Sequence, residues 1–510
     1  MLDSLLRQGQ PDGPNIGTDR VSIDDGLAHV STPLAQVVLG SKWTAERACR
    51  TNAIVPVDRV GNFVDGQHSH ALKVRDRSTG RAPPFELDHT SLDPYATRVR
   101  PMTDKRRRIA IVGGNFAGLT AAIKLSRRYA VTVIDPARHF EWLPNIHEIV
   151  SSVKTPQGLR LDRAAIAEQA GHRFLRDRVT ALQPAQRRLT TAGGRELDFD
   201  ACIVAVGAMW NTHHIPGVAR YAMPFRNVTD AQAIEHRLHT LAQQGKPLRI
   251  VIAGGGIAGI EALGELLRRH RDDVSLSVDV VEAGARLLPG LAAALDADLR
   301  RLCAPYAVTF HTATTIAAVS AKGVRLADGT RLRSELTLWT AGLAPPALLR
   351  ESGLARSTQM WADVHQTLQS RHADNVFVVG DAAQLPQKVG KQAYNAIDMG
   401  ALAAANVARF LGGRPLKPFR PAPKPVLIAF GDLQTYLVAG RIVLASKVLA
   451  GAKEGVYQLF MSQMTPGGLL TLLPAAAGRL WQSWRQLALP QLLSLADFKK
   501  LPDRRTVRRL

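Results

Sequence analysis

A chain of 510 residues, 46% hydrophobic and 21% charged, is long enough for two or three domains and has the composition of a soluble globular protein. Its formal net charge of +22 draws anionic partners, and composition alone does not choose between nucleic acid, acidic lipid and an anionic ligand. Cys49, Cys202 and Cys303 are far apart and form no CxxC pair, which excludes a disulfide framework and fits a reducing cytoplasm.

The opening "MLDSLLRQGQPDG" has no apolar stretch of signal-peptide length, and no run of about 18 apolar residues occurs, so neither a signal peptide nor a transmembrane helix is expected. Residues 1–104 are polar and rich in Gly, Pro, Asp, Arg and Ser, the composition of a disordered extension, with Met102 a candidate natural start. From Arg106 the texture changes: "RRIAIVG" is a continuous apolar strand, "AGLTAAIKLSRRY" an apolar-periodic helix, and "AVTVIDP" a second strand. This β–turn–α–β unit starts a parallel sheet. "GRELDFDACIVAVGA" reads as a hairpin strand followed by a buried strand and a glycine turn. The first grammar then recurs in "LRIVIAGGGIAGIEALGELLRRH" and "SLSVDVVEAG", and the second in "KGVRLADGTRLRSELTLWTAGL". "NVFVVGDAAQ" supplies a last strand ending at Gly380-Asp381, and Pro-rich Arg414–Pro425 reads as a linker. The fold class is therefore α/β, with two Rossmann-like dinucleotide-binding domains and a distinct C-terminal segment.

The second glycine turn is complete: Gly254, Gly256 and Gly259, with Ile257 and Ala258 between the last two. The first glycine permits the turn, the second lets backbone approach a pyrophosphate, and the third lets helix pack on strand. Glu282 ends the following strand, where a carboxylate bonds a ribose diol and repels a 2′-phosphate, favouring NADH over NADPH. The first turn runs Gly113, Gly114, Asn115, Phe116, Ala117, Gly118, with Asn115 in place of the second glycine. Asp135 lies 22 residues after Gly113, where the ribose acid belongs. Asn115 leaves two readings open. Its tolerance of left-handed backbone and its amide suit a phosphate loop, whereas its bulk suits a small-residue turn that binds nothing.

The set "IAIVGGNFAG", "CIVAVGA", "IVIAGGGIAGIE", "VVEAGARLLPGL", "LWTAGL" and "NVFVVGDAAQ" resembles the two-dinucleotide-binding-domain flavoproteins, specifically the type II NADH dehydrogenases (NADH:quinone oxidoreductases), over roughly residues 106–420. The resemblance implies an FAD-binding domain in two parts, 105–240 and 366–420, around an inserted NADH-binding domain, 241–365, with a basic amphipathic segment at 421–510. It implies FAD on the first turn, with Asp135 on its ribose, Val179 near the adenine, Ala205, Val206 and Gly207 beside the flavin, and Gly380 and Asp381 at the ribityl chain. NADH would lie along Gly254–Gly259, Glu282 and the turn Ala341-Gly342. Glu261 matches the glutamate the family places near the nicotinamide; its alternative is an acid complementing the helix dipole.

The acceptor side departs from the family. Where an AQxAxQ-like helix lines the quinone site, this chain has "AYNAIDMG", with Tyr394 and Asp398 in the glutamine positions. An aromatic stacks on a quinone and a carboxylate supplies a proton; equally, Tyr394 packs under the flavin and Asp398 is solvated. No cysteine lies between Ile109 and Ala201, which excludes disulfide-reductase chemistry. Residues 414–510 hold 15 Lys and Arg against 4 Asp and Glu, half of the chain's excess charge. Within them "GRLWQSWRQLALPQLL" sets Leu480, Trp481, Trp484, Leu487 and Ala488 opposite Arg479 and Arg485, as an in-plane interfacial helix does. A self-packing or homodimer-forming helix is the alternative. The sequence thus points to an FAD-dependent NADH dehydrogenase passing two electrons to a quinone without proton pumping. Its expected place is peripheral, at the cytoplasmic face of the cell membrane, with an anionic membrane surface as partner, no nucleic acid and no metal. A soluble NAD(P)H reductase of ferredoxin or another protein, and a redox-sensing flavoprotein that binds a partner or nucleic acid, are the alternatives.

Overall fold

The structure, a computed structural model, describes residues 106–465 and the backbone of residues 507–509. The extension 1–104 and the Trp481-containing stretch lie outside the described residues. All described residues fall within one compact unit, Arg98–Leu510.

Strand β1 (Arg108–Val112) leads through the first glycine turn into helix α1 (Phe116–Lys124), and β2 (Ala130–Ile134) returns parallel to it. Short helices α2 (His147–Val150) and α3 (Arg163–Gln169) precede β3 (Arg173–Leu175). An antiparallel meander, β4 (Val179–Gln183), β5 (Arg188–Thr191) and β6 (Glu196–Asp198), then delivers β7 (Ala201–Val204) to the other side of β1. Ile109 to Val112 are buried because strands flank β1 and helices cover the sheet, which is why its sequence is apolar without alternation.

The second domain repeats this plan. It comprises β8 (Ala222–Pro224), α4 (Val228–Gln243), β9 (Arg249–Ala253), α5 (Ile257–His270), β10 (Ser277–Glu282), α6 (Ala293–Cys303), β11 (Val308–Thr312), the meander β12 (Ile316–Ser320), β13 (Gly323–Leu326) and β14 (Arg331–Arg333), and β15 (Leu336–Trp339). Its parallel sheet has the order β8-β15-β9-β10-β11. The chain then returns through β16 (Val376–Val378), completing the first sheet as β16-β7-β1-β2-β3, and α7 (Ala393–Leu411) packs on α1. The approach is close enough that a Cβ on Gly400 would run into the Ala117 carbonyl.

Two boundaries differ from the sequence reading. Ala222–Pro224 pairs with β15, so the crossover into the second domain comes before residue 222 rather than at 241. Ala362–Asp363 pairs with Ala383–Gln384, so the return precedes residue 366. The segment from 421 is also more than a basic amphipathic tail. It opens with an antiparallel sheet, β17 (Val426–Phe430), β18 (Gln434–Ala439) and β19 (Ile442–Ala445), and continues into α8 (Leu449–Met464); β20 (Val507–Arg509) lies parallel to β19. Phe460 of α8 stacks within an aromatic cluster, 4.7 Å from Trp142, 5.9 Å from Phe140 and 5.9 Å from Phe116. Such pairs contribute roughly 0.5–1.5 kcal/mol each beyond area burial, enough to make this helix part of the fold.

Candidate active site

Both glycine turns are built the same way. The Gly113 N–H donates to Ile134 O at 2.8 Å, and the Gly254 N–H to Val281 O at 2.8 Å. Each of these glycines has positive φ, +100° and +107°, a region that L side chains avoid. A Cβ on Gly113 would meet the Ala205 carbonyl, which brings the Ala205–Gly207 turn against the first loop; a Cβ on Gly254 would lie 2.7 Å from Thr340 Oγ1. Gly118 and Gly259 each leave room only for the backbone of the loop's own first glycine. Gly256 differs: a Cβ there meets nothing, so the fold does not require glycine, and its presence fits close approach by a ligand.

The acids at the strand ends also match. Asp135 accepts from Gly114 N at 2.7 Å and Ala137 N at 2.8 Å; Glu282 accepts from Gly255 N at 2.7 Å and Gly284 N at 2.7 Å. Each carboxylate thereby latches its glycine loop to the strand beside it. No side chain caps α1 or its counterpart α5, so their first-turn amides point at the loops uncapped, the arrangement that holds a pyrophosphate. The residues therefore fit two dinucleotides.

At Asn115 the backbone departs from the sequence argument. Its φ is −106°, outside the left-handed region, so no glycine is required there and the left-handed argument does not apply. Its amide is committed to the Glu141 backbone, with Oδ1 accepting from N at 3.0 Å and Nδ2 donating to O at 3.2 Å. Phe116 and Ala117 are buried, whereas Ala258 in the second loop is exposed and Ile257 half-buried. Val179 opens β4 with its side chain buried opposite Thr191. The sequence reading missed Arg163: buried, it donates to Gly114 O at 2.5 Å, Asp135 Oδ1 at 2.6 Å and Ala137 O at 2.6 Å. It pairs with the Asp135 carboxylate and clamps the loop.

Gly380, with φ +67°, turns the chain at the end of β16, where a Cβ would lie 3.5 Å from the side chains of Ala117 on α1 and Ala396 on α7, and Asp381 follows it. Burial pushes the Asp381 carboxyl up, opposed by Lys391. Lys391 donates to the Asp381 carbonyl and lies 3.4 Å above the Trp361 ring; burial pulls its own ammonium down. On α7, Tyr394 and Asp398 are brought together with Lys424, which pairs with the Asp398 carboxylate and sits 6.0 Å from the Tyr394 ring centroid. Asp398 is thus a paired, largely buried acid rather than a solvated one.

Glu261 is buried at a three-way junction. Its carboxylate accepts from Ala429 N at 3.1 Å and from Lys453 Nζ of α8 at 2.5 Å, and lies 3.6 Å from His147 Nδ1 of α2. This corrects the helix-dipole alternative, because the carboxylate faces packed strand and helix instead of the amides of its own helix. Burial pushes Glu261 up despite Lys453, and burial with Lys453 and Lys154 holds His147 well down, so the imidazole is neutral. One turn on, Glu265 accepts from Ser151 Oγ, and burial pushes its carboxyl up to about 7. Nothing in the local sequence marks Lys453, His147 or Ser151, since their partners lie over a hundred residues away.

Cys202 sits within β7 and Cys303 at the end of α6, both buried; burial pushes the Cys303 thiol up to about 12 and that of Cys202 higher still. Neither is poised as a nucleophile.

Comparison with known proteins agrees with this geometry. The chain is 26% identical over 380 residues to demethylphylloquinone reductase NdbB of Synechocystis sp., covering 70% of this chain and 92% of that protein. It is 25% identical over 365 residues to the type II NADH:quinone oxidoreductase of Staphylococcus aureus, covering 65% and 89%. Among solved structures, NDH2 from Plasmodium falciparum in complex with NADH shares the fold with a TM-score of 0.65 at 16% identity, covering 71% of this chain and 96% of that one. The sulfide:quinone oxidoreductase of Aquifex aeolicus aligns equally well, with a TM-score of 0.65 at 16% identity, covering 75% and 96%. Residues 107–400 match the model of the pyridine nucleotide-disulphide oxidoreductases, and the chain belongs to that family.

Proposed function

We infer that this protein is an FAD-dependent NADH dehydrogenase that reduces a quinone. The observation that carries the reading is the pair of matched glycine turns, each latched by its own carboxylate, with the Gly380-Asp381 turn against the first of them. The relatives named as quinone reductases support the acceptor. Bound FAD would supply the hydride-accepting and two-electron-donating chemistry, which side chains cannot perform.

The chain's own residues bind, orient and handle protons. Gly113–Gly118 and α1 would hold the FAD pyrophosphate, Asp135 and Arg163 its adenosine end, and Asp381 its ribityl chain, with Ala205–Gly207 beside the flavin. Gly254–Gly259 and Glu282 would hold NADH, with Ala341-Gly342 shaping the far wall; His213 fixes that turn by bonding Ala341 O at 2.6 Å. With one hydrogen arriving as hydride from NADH, quinone reduction takes up one further proton. Asp398 of α7, paired with Lys424 and beside Tyr394, would deliver it. Glu261, paired with Lys453 and beside neutral His147, would hold the junction of α5, β17 and α8 in place.

No helix among the described residues is long and apolar enough to cross a membrane. The basic C-terminal sequence supports a peripheral place on an acidic membrane surface at the cytoplasmic face. The test is an anaerobic titration of the purified holoprotein. NADH should bleach the bound flavin stoichiometrically, and a short-chain quinone should restore the colour. Failure of NADH to bleach it, or of quinone to restore it, overturns the reading.

A further inference from the structure

The nucleotide turns occupy the carboxyl ends of the strands. At the opposite edge of the first sheet lies a different surface. Arg106 and Arg107 precede β1, Lys124 ends α1, Arg127 and Arg128 occupy the loop into β2, and Arg414 follows α7; all six are exposed. Four of them, Arg106, Arg107, Arg128 and Arg414, line a single depression of about 710 Å³ with Tyr129 and Leu411. Asp200 pairs with Arg107 at 3.0 Å. Arg127 donates to Gln169 O at 2.8 Å and Arg128 to the Tyr129 hydroxyl at 2.8 Å, both neutral acceptors, and neither has a carboxylate partner among the described residues. Arg414 has no carboxylate partner among the described residues.

On the other side of the same loop a groove of mixed character is lined by Ile123, Ser126, Arg127, Gln169 and Met464, the last residue of α8. Ile123 is 41% exposed. The chain therefore leaves α8 beside the arginines, and the sequence that continues carries "GRLWQSWRQ" and the basic "DRRTVRRL". Guanidinium groups bind phosphate oxygens bidentately. A concave arginine cluster with the exposed Ile123 beside it matches a phospholipid headgroup at the membrane interface, whereas nucleic acid gives Ile123 no apolar partner.

We propose that this depression binds the phosphates of acidic phospholipids and seats the amino-terminal edge of the first sheet on the membrane. The proposal deepens the peripheral-membrane reading and rests on it. Lipid binding here gives the folded domain its own contact and fixes its orientation, in addition to any contact made by the C-terminal sequence.

The test uses full-length holoprotein and sedimentation with phosphatidylcholine vesicles, with and without about 30 mol% phosphatidylglycerol, at about 0.1 M salt. Wild type should favour the acidic vesicles. Arg128→Ala/Arg414→Ala should weaken partitioning onto them roughly 30-fold, while Arg331→Ala/Arg333→Ala, removing two exposed charges from β14, should change it less than about 2-fold. Flavin content and NADH–ferricyanide turnover should be retained in both, since none of these residues lies at the nucleotide turns. Unchanged acidic-vesicle binding in Arg128→Ala/Arg414→Ala overturns the proposal and leaves the membrane reading standing. Wild type that binds neither vesicle overturns both. A short DNA duplex bound more tightly than the acidic vesicles, and lost in the same variant, also overturns it.

Discussion

Glu265 makes the folded protein's stability depend on pH. Its side chain is 1% exposed on α5, accepts from Ser151 Oγ of the first domain, and has Arg268 at 3.6 Å. Burial raises its carboxyl from 4.5 to about 7. Between those values the native state keeps a proton that the unfolded chain has lost, so stability falls as pH rises through this window and levels off above it. A difference of about 2.5 units corresponds to roughly 3 kcal/mol of stability lost by pH 8, and nothing lost below about pH 4.5. Glu265→Gln keeps the shape and a carbonyl acceptor for Ser151 while removing the titration. Urea unfolding of both proteins from pH 5 to 8 should show the variant near wild type at pH 5 and more stable by about 2–3 kcal/mol at pH 8. A pH-independent difference, or a variant less stable at pH 8, would refute the reasoning.

Other consequences follow from the same geometry. Lys453→Met leaves the Glu261 carboxylate buried without its cation and should cost about 3–5 kcal/mol near neutral pH, less in acid as Glu261 protonates; adding Glu261→Gln should recover most of this in the same denaturation assay. Glu282→Ser removes the latch on Gly255 and the ribose acceptor, so the KM for NADH should rise roughly 10–100-fold while discrimination against NADPH shrinks, as read from steady-state kinetics with both nucleotides. Asn115→Gly should lower stability by about 1–2 kcal/mol, through the lost bonds to Glu141 and the added chain entropy, while retaining FAD; loss of flavin without loss of stability would return Asn115 to the phosphate site.

What could be read from the sequence was whatever has a local cause. Gly113 and Gly254 are required by positive φ, and Asp135 and Glu282 by strand length, so spacing alone located both turns. At Asn115 the motif records glycine where this backbone is ordinary, and the side chain's partner is Glu141, 26 residues on. Arg163 and Lys453 act across elements remote in sequence, and no periodicity marks them. The β17–β19 sheet was hidden under the basic charge of its segment, although "VLIAF" and "QTYLVA" are strand-like. Glu261 was found by its place after Gly259, but its burial against Ala429 and Lys453 depended on recognising that sheet and helix.

Acceptor choice tests the central claim most directly. Steady-state NADH oxidation by the purified holoprotein should proceed at tens of turnovers per second or more, roughly the usual enzyme range, with a short-chain quinone, and at least about 10-fold more slowly with ferredoxin. Turnover with ferredoxin that matches or exceeds turnover with quinone would contradict the account.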